Sequence, residues 1–190
     1  MQIIETVPDL DEAVAVTSRG FVQPVSDGLV EDVRNHLQGD LVLSLVFEAG
    51  LAGYAVFKIQ DDLLYLAGAM IDPTYQGKQV ARKLIMHAQL RSGAIYFGLR
   101  TQSPIMWSAG KSMCQIWLPS MNGESFDDGL YKALNSTLAL AGSPRTFHNG
   151  CYGGALYGEK PVHHDAGVQD WWDRVCNFEA GDAVVCVGRF

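Results

Sequence analysis

Residues 76–82 read Gln-Gly-Lys-Gln-Val-Ala-Arg and stand where a strand-like run meets an amphipathic helix. A helix start presents backbone N–H groups with no intrahelical acceptor, together with the positive end of the helix dipole, and so suits phosphate oxygens. Lys78 and Arg82 would add charge-assisted contacts. Binding of a phosphate compound is therefore the chemistry this stretch offers. Two common phosphate loops do not fit it. A Walker loop needs G-x-x-x-x-G-K-[ST], but no glycine stands five residues before Gly77, and Gln79 follows Lys78. The dinucleotide fingerprint G-x-G-x-x-G is also absent, and the strand in front belongs to an antiparallel meander.

Other residue groups speak less clearly. His148 and Cys151 form H-x-x-C, with His163, His164 and Asp165 further along. Zinc sites usually show paired spacings such as C-x-x-C; none occurs, so no metal is expected. Cys151 with a histidine would make a nucleophile pair, although lone cysteines are mostly core residues. Trp171 and Trp172 fall on an apolar helix face, as core or dimer contacts or as a pocket wall. Tyr152 and Tyr157 lie among glycines that could form a substrate loop.

Bulk properties bound the rest. A chain of 190 residues suits one domain spanning 1–190, and 48% hydrophobic with 18% charged residues is globular. No apolar run reaches the roughly 18–20 residues that span a bilayer, and MQIIETVPD lacks the features of a secretory signal. Four cysteines without a compact framework point to a reducing cytoplasm. The net charge of −7 argues against nucleic acid as a partner, yet its distribution is uneven. Pro73 to Gly123 carries six basic residues and no acid, leaving eight basic against 21 acidic residues elsewhere. Either this is chance, or an anion site lies in the middle with acidic surroundings that favour a cationic partner.

The elements that would hold residues 76–82 can be read from periodicity. Ile3–Val7 reads as a strand, Asp9 caps a helix to about Phe21, and Ser26 or Asp27 caps another to about Leu37. Residues 41–47, 51–59 and 63–71 form an antiparallel meander, with turns at Glu48-Ala49-Gly50 and Gln60-Asp61-Asp62. Val80, Ala81, Leu84, Ile85 and Ala88 then share a helical face, and Arg91-Ser92-Gly93 ends that helix. Residues 94–99 make a fresh strand and Pro104 opens a helix toward Lys111. Leu130, Leu134 and Leu138 mark another helix, Val168 to Val175 a last one, and 183–188 a final strand. Residues 148–167 read as a Gly-rich loop or irregular strand.

In that setting, I-D-P-x-Y-Q-G-K-Q-V-A-R-K-L (71–84) resembles the acyl-CoA-binding segment of the GNAT N-acetyltransferase superfamily. The family pattern is [Q/R]-x-x-G-x-[G/A] at the helix after the fourth strand; Gln76 and Ala81 match it, and Gln79 departs at the glycine. The order of elements agrees over residues 1–111. The resemblance implies a mixed α/β (α+β) fold: a central, mostly antiparallel sheet with splayed parallel strands four and five, flanked by helices.

It also implies roles. Acetyl-CoA would be the co-substrate, with pantetheine along Ala69–Ile71 and the Ile71 N–H on the thioester carbonyl and its oxyanion. The pyrophosphate would lie on the turn formed by Gln76, Gly77, Lys78, Gln79, Val80, Ala81 and Arg82. Gln79 would keep its N–H available, since right-handed helical geometry does not require glycine. Ser103 matches an asparagine of the family. Tyr65 matches the base position of histone-type members, lining the pocket or passing a proton through water; Glu48, Asp61 and Asp62 are alternatives. The family's tyrosine acid falls near Gly110, so Ser108 or water would protonate the thiolate. The implied activity is acetyl transfer to a primary amine by direct attack on the thioester. The acceptor would be a small-molecule or protein amine, with a cationic amine suited to the acidic surround. Neither nucleic acid nor membrane is an expected partner, and a homodimer accords with family habit. A CoA-binding sensor or interaction module without activity is the alternative, and a nucleotide-binding protein a third reading.

Overall fold

The computed structural model describes residues 1–48, 50–123 and 126–190. They form two compact units, Met1–Ile59 with Leu66–Gly93, and Gln60–Tyr65 with Ala94–Phe190. The fold is mixed α/β, with a mostly antiparallel sheet and one parallel strand pair. No helix among the described residues is long and apolar enough to cross a membrane.

In the first unit, β1 (Gln2–Glu5) pairs antiparallel with β2 (Leu41–Phe47), and β2 with β3 (Gly50–Gln60); the later part of β4 (Leu63–Ile71) follows β3. β1 is shorter than the expected 3–7, because Thr6 N–H turns back to the Ile4 carbonyl (3.1 Å). Gly50 already belongs to β3, and Ala49 of the expected turn lies outside the described residues. Helix α1 (Leu10–Phe21) is capped by Asp9, whose Oδ1 accepts from the N–H of Asp11 and Glu12. Helix α2 (Asp27–His36) is capped by Ser26.

Ala13, Val14, Leu29 and Val33 of the two helices pack with Val42, Tyr54 and Val56 of the sheet. Leu43, Leu45, Ala55 and Phe57 alternate with these and are also buried, so β2 and β3 read as nearly continuous apolar runs. Helix α3 (Val80–Ser92) packs on β2 and buries Val80, Leu84, Ile85 and Ala88. The Tyr54 hydroxyl bonds Thr17 Oγ1 at 2.7 Å, and burial pushes its phenol up to about 12.

In the second unit, residues 63–65 of β4 lie beside β5 (Tyr96–Thr101), and the two strands run parallel. β5 starts two residues later than the sequence suggests. Gly93, in left-handed geometry, closes α3, and the Ile95 and Tyr96 N–H groups both reach the Asp62 carbonyl at 2.9 Å before pairing begins. β8 (Ala183–Arg189) is antiparallel to β5 on one side; β6 (Ile116–Leu118) and β7 (Phe147–His148) pair with it on the other. β6 and β7 go unseen in the sequence because two or three residues give no period. Helix α5 (Asp128–Leu140) packs on β5 and β8 at Gly98, where a Cβ would lie 2.5 Å from Thr137 Oγ1.

Helices α4 (Pro104–Met113) and α6 (Ala166–Val175) meet through Trp107, Trp171 and Trp172. The two α6 tryptophans are therefore core, and Trp172 Nε1 donates to the Gln102 carbonyl at 3.1 Å. The Gly-rich 148–167 stretch is tied down by polar groups. Buried Asp182 accepts from the N–H groups of Gly150 and Asn177 and from Asn149 Nδ2. Gln102 Oε1 accepts from Leu156 N–H at 2.7 Å.

Two outcomes follow for stability. Val22 ends α1 at φ 54°, a left-handed conformation that costs a β-branched residue about 1–2 kcal/mol. Val22→Gly should raise the melting temperature by about 2–4 °C, read by thermal denaturation. Burial acts to raise the Asp182 carboxyl, but the donors from Asn177, Gly150 and Asn149 outweigh it and hold the group below its ordinary value. Its stabilisation is therefore present above about pH 4 and lost as pH falls through the lowered folded value. Asp182→Asn should lower stability at neutral pH and flatten the acid limb of a stability-against-pH curve.

Candidate functional site

The first unit holds the turn from β4 to α3. Asp72 N–H donates to the Ala52 carbonyl of β3 at 2.9 Å. Successive N–H groups of a strand point to opposite edges, so those of Ile71 and Ala69 face away from β3. Burial changes along the same strand: Leu63–Leu66 are buried, and residues 67–71 are half-buried. Two glycines let the backbone come this close. A Cβ on Gly53 would lie 2.7 Å from the Met70 carbonyl oxygen, and one on Gly20 of α1 3.3 Å from that of Ile71.

The residues after Ile71 are largely occupied with building the turn. Asp72 Oδ1 accepts from Thr74 N–H at 3.0 Å, and Oδ2 accepts from Arg19 Nε at 2.7 Å. Gln76 Nε2 donates to the Ile71 carbonyl at 2.9 Å. Lys78 Nζ donates to the Thr74 carbonyl at 2.9 Å and lies over the Tyr75 ring, which stacks on Phe47. Gln76 and Lys78 thus brace the loop with their side chains. Arg82 and Lys83 remain exposed on the first turn of α3.

Backbone conformation at the turn corrects one expectation. Gln79 has φ 58° and ψ 25°, in the left-handed region, so the right-handed geometry expected there does not occur. Gly77 is also left-handed, at φ 72°, with nothing within 4 Å of a Cβ, so its requirement is purely conformational. Left-handed residues are a component of the turns whose successive N–H groups receive anions. Gln79 supplies no side-chain cap to α3, so the first-turn N–H groups of Val80 and Ala81 take no bond from it.

The second unit holds the other singled-out residues. Tyr65 is buried, which pushes its phenol up to about 12, with the Arg100 charge pulling the other way. It is a protonated phenol at neutral pH and no proton acceptor. Ser103 caps α4: its Oγ accepts from Met106 N–H at 3.4 Å, while its own N–H donates to Thr101 Oγ1 at 2.9 Å. Ser108 is half-buried on α4. At Gly110 the indole ring of Trp117 occupies the space of any Cβ, so no tyrosine fits there. Trp117 Nε1 is the one buried side-chain nitrogen or oxygen without a hydrogen bond among the described residues.

His148 Nδ1 meets Ser143 Oγ at 2.9 Å, and His163 Nδ1 accepts from Asp165 N–H at 3.0 Å. Both serve loop structure, and no group of three metal-binding side chains occurs among the described residues. The residue missed from sequence is Arg100. It was legible as a charge ending the apolar run 94–99, but no period assigned its side chain a purpose. Its Nε donates to the Tyr152 hydroxyl at 3.2 Å and its Nη1 to the Ala141 carbonyl at 2.5 Å.

Residues 11–94 match the sequence model described as the Acetyltransferase (GNAT) family. Among solved structures, the chain is similar to the ribosomal-protein-S18-alanine N-acetyltransferase of Escherichia coli, at a TM-score of 0.58 and 14% identity over 99% of this chain and 92% of that one. It is also similar to the IAA acetyltransferase of Bacillus cereus ATCC 14579, at 0.55 and 10% identity over 100% of both chains. A third is an aminoglycoside 6'-N-acetyltransferase complexed with coenzyme A, at 0.50 and 10% identity over 100% and 97%. At these identities the likeness is one of fold. No curated protein sequence matches.

The left-handed residue at 79 yields a direct test. Gln79→Gly removes about 1 kcal/mol of backbone strain and should raise the melting temperature by about 2–4 °C, measured by thermal denaturation. An unchanged or lowered value would mean that the Gln79 side chain contributes more than its strain removes.

Proposed function

We propose that the chain is an acetyltransferase of the GNAT family that uses acetyl-CoA as co-substrate and carries the acetyl group to a primary amine by direct attack on the thioester. The observation that carries the reading is the β4–α3 turn, with the Ile71 N–H facing away from β3 and left-handed residues at 77 and 79. In this proposal the pyrophosphate rests on the N–H groups of Gly77, Gln79 and Ala81, and Arg82 adds its charge. The pantetheine arm runs along Ala69–Ile71. The thioester carbonyl accepts from Ile71 N–H, which also stabilises the oxyanion that forms.

The chemistry is balanced simply. The amine nitrogen bonds the acetyl carbon, the tetrahedral centre collapses, the C–S bond breaks, and CoA leaves as a thiolate. A primary amine near pKa ~10 is mostly protonated at neutral pH and must first give up a proton. The Tyr65 phenol is itself protonated there, so the proton goes to water, with Tyr65 as a wall or hydrogen-bond relay. The thiolate takes a proton from Ser108 or from water, since Trp117 fills the space beside Gly110, and the second nitrogen proton, lost as the amide forms, restores that donor. The acceptor is a small-molecule or protein amine. We treat residues 1–190 as one catalytic domain in a reducing cytoplasm, where four free thiols are at home.

A second reading, a CoA-binding sensor without turnover, is favoured by two of these features: the absence of room for an acid at Gly110 and the protonated Tyr65. One experiment separates the two. Acetyl-CoA should raise the melting temperature, and thiol should be released with at least one member of a broad amine panel. Stabilisation without thiol release favours the sensor, and no stabilisation overturns both. Gly77→Pro reshapes the turn and removes an N–H, and should abolish the acetyl-CoA shift while leaving the fold intact by circular dichroism.

A further inference from the structure

Six of the eight arginines are exposed. Of the other two, Arg189 pairs with Asp127, whereas Arg100 has no carboxylate within ion-pair distance among the described residues. A guanidinium taken partly out of water without a counter-charge is costly, and the chain is otherwise rich in acids. The recorded partners of Arg100 are neutral. They are the Tyr152 hydroxyl, the Ala141 carbonyl at the end of α5, and the Tyr152 ring face 4.9 Å from the guanidinium carbon. These hydrogen bonds use Nε and Nη1, two of the three nitrogens of a fork suited to bidentate carboxylate recognition. Arg100 also lies close enough to Tyr65 and Cys151 to act on them electrostatically. Tyr65 occupies the β4 position that the family resemblance aligns with proton removal from the amine.

We propose that Arg100 binds a carboxylate of the acceptor, so that the acceptor is an amine that also bears a carboxylate: an amino acid rather than a polyamine or an aminoglycoside. This rests on the acetyltransferase reading and narrows its substrate class. The Tyr152 ring holds one face of the guanidinium and the Ala141 carbonyl fixes its tilt, which leaves the charge itself for the ligand.

The test is thiol release from acetyl-CoA with matched pairs: lysine against cadaverine, ornithine against putrescine, phenylalanine against phenethylamine. The carboxylated member should be preferred by about 10- to 100-fold in kcat/KM, the range of a hydrogen bond to a charged group. Arg100→Met should erase the preference through the acceptor KM and leave the KM of acetyl-CoA unchanged. Arg100→Lys should recover part of it, which a purely structural role at the end of α5 would not produce. Equal or better use of the decarboxylated amines overturns the proposal, as does a rise in the acetyl-CoA KM alone, which would assign Arg100 to a CoA phosphate. If Arg100→Met fails to fold, the wild-type comparison decides. If acetyl-CoA binds but no acceptor reacts, melting with CoA present decides, since only the carboxylated members should add stability. No shift with acetyl-CoA at all would overturn the transferase reading, and this proposal with it.

Discussion

One hydrogen bond, from Asp72 N–H to the Ala52 carbonyl, fixes the direction of every nearby backbone group on β4. A slip of one residue would turn the N–H of Ile71 toward β3 and that of Asp72 away from it. The local sequence is arranged to keep that register. β2 and β3 change step between Leu45 and Val46, which leaves Ala52 without a partner on β2. Gly53 lets β4 approach, and Arg19 holds Asp72 from the side of α1. The Arg19 side chain is half exposed, so the ion pair itself contributes little; its value is in orientation.

Much of this was legible in the sequence wherever a signal repeats. Asp9 and Ser26 announce the two first helices because a cap side chain is a local device, needing only its own next three residues. The meander announces itself because both faces of β2 and of most of β3 are covered and the strands are nearly continuous apolar runs. The family resemblance at 76–81 placed the turn correctly. What it lacked was the backbone conformation: Gln79 was expected in right-handed geometry, and the position demands the left-handed form that a glycine adopts without strain. A residue type alone does not disclose φ when the chain tolerates strain at that point.

The parts that stayed hidden depend on partners distant in sequence. Nothing near Arg100 foretells Tyr152 or Ala141, which lie 52 and 41 residues away. Likewise the Gly-rich 148–167 stretch looks unstructured until Asp182 and Gln102 are seen to satisfy its backbone donors. β6 has three residues and becomes a strand only through β8, whose own apolar run announces it. Long-range polar contacts carry no periodicity, and so a reading based on periodicity passes over them.

The packing of Trp117 against Gly110 has a consequence for how this chain can change. A side chain placed at position 110 would collide with the indole, and a smaller residue at 117 alone would open a void beside Phe97, on which that indole stacks. Neither step is neutral by itself, so the two positions are expected to be non-additive when altered together. The bulk at this contact lies on the strand, and position 110 has no room for a side chain while the indole stays in place. Any lineage or designer wishing to place a hydroxyl on this face of α4 would have to cross a valley of lower stability or change both residues at once.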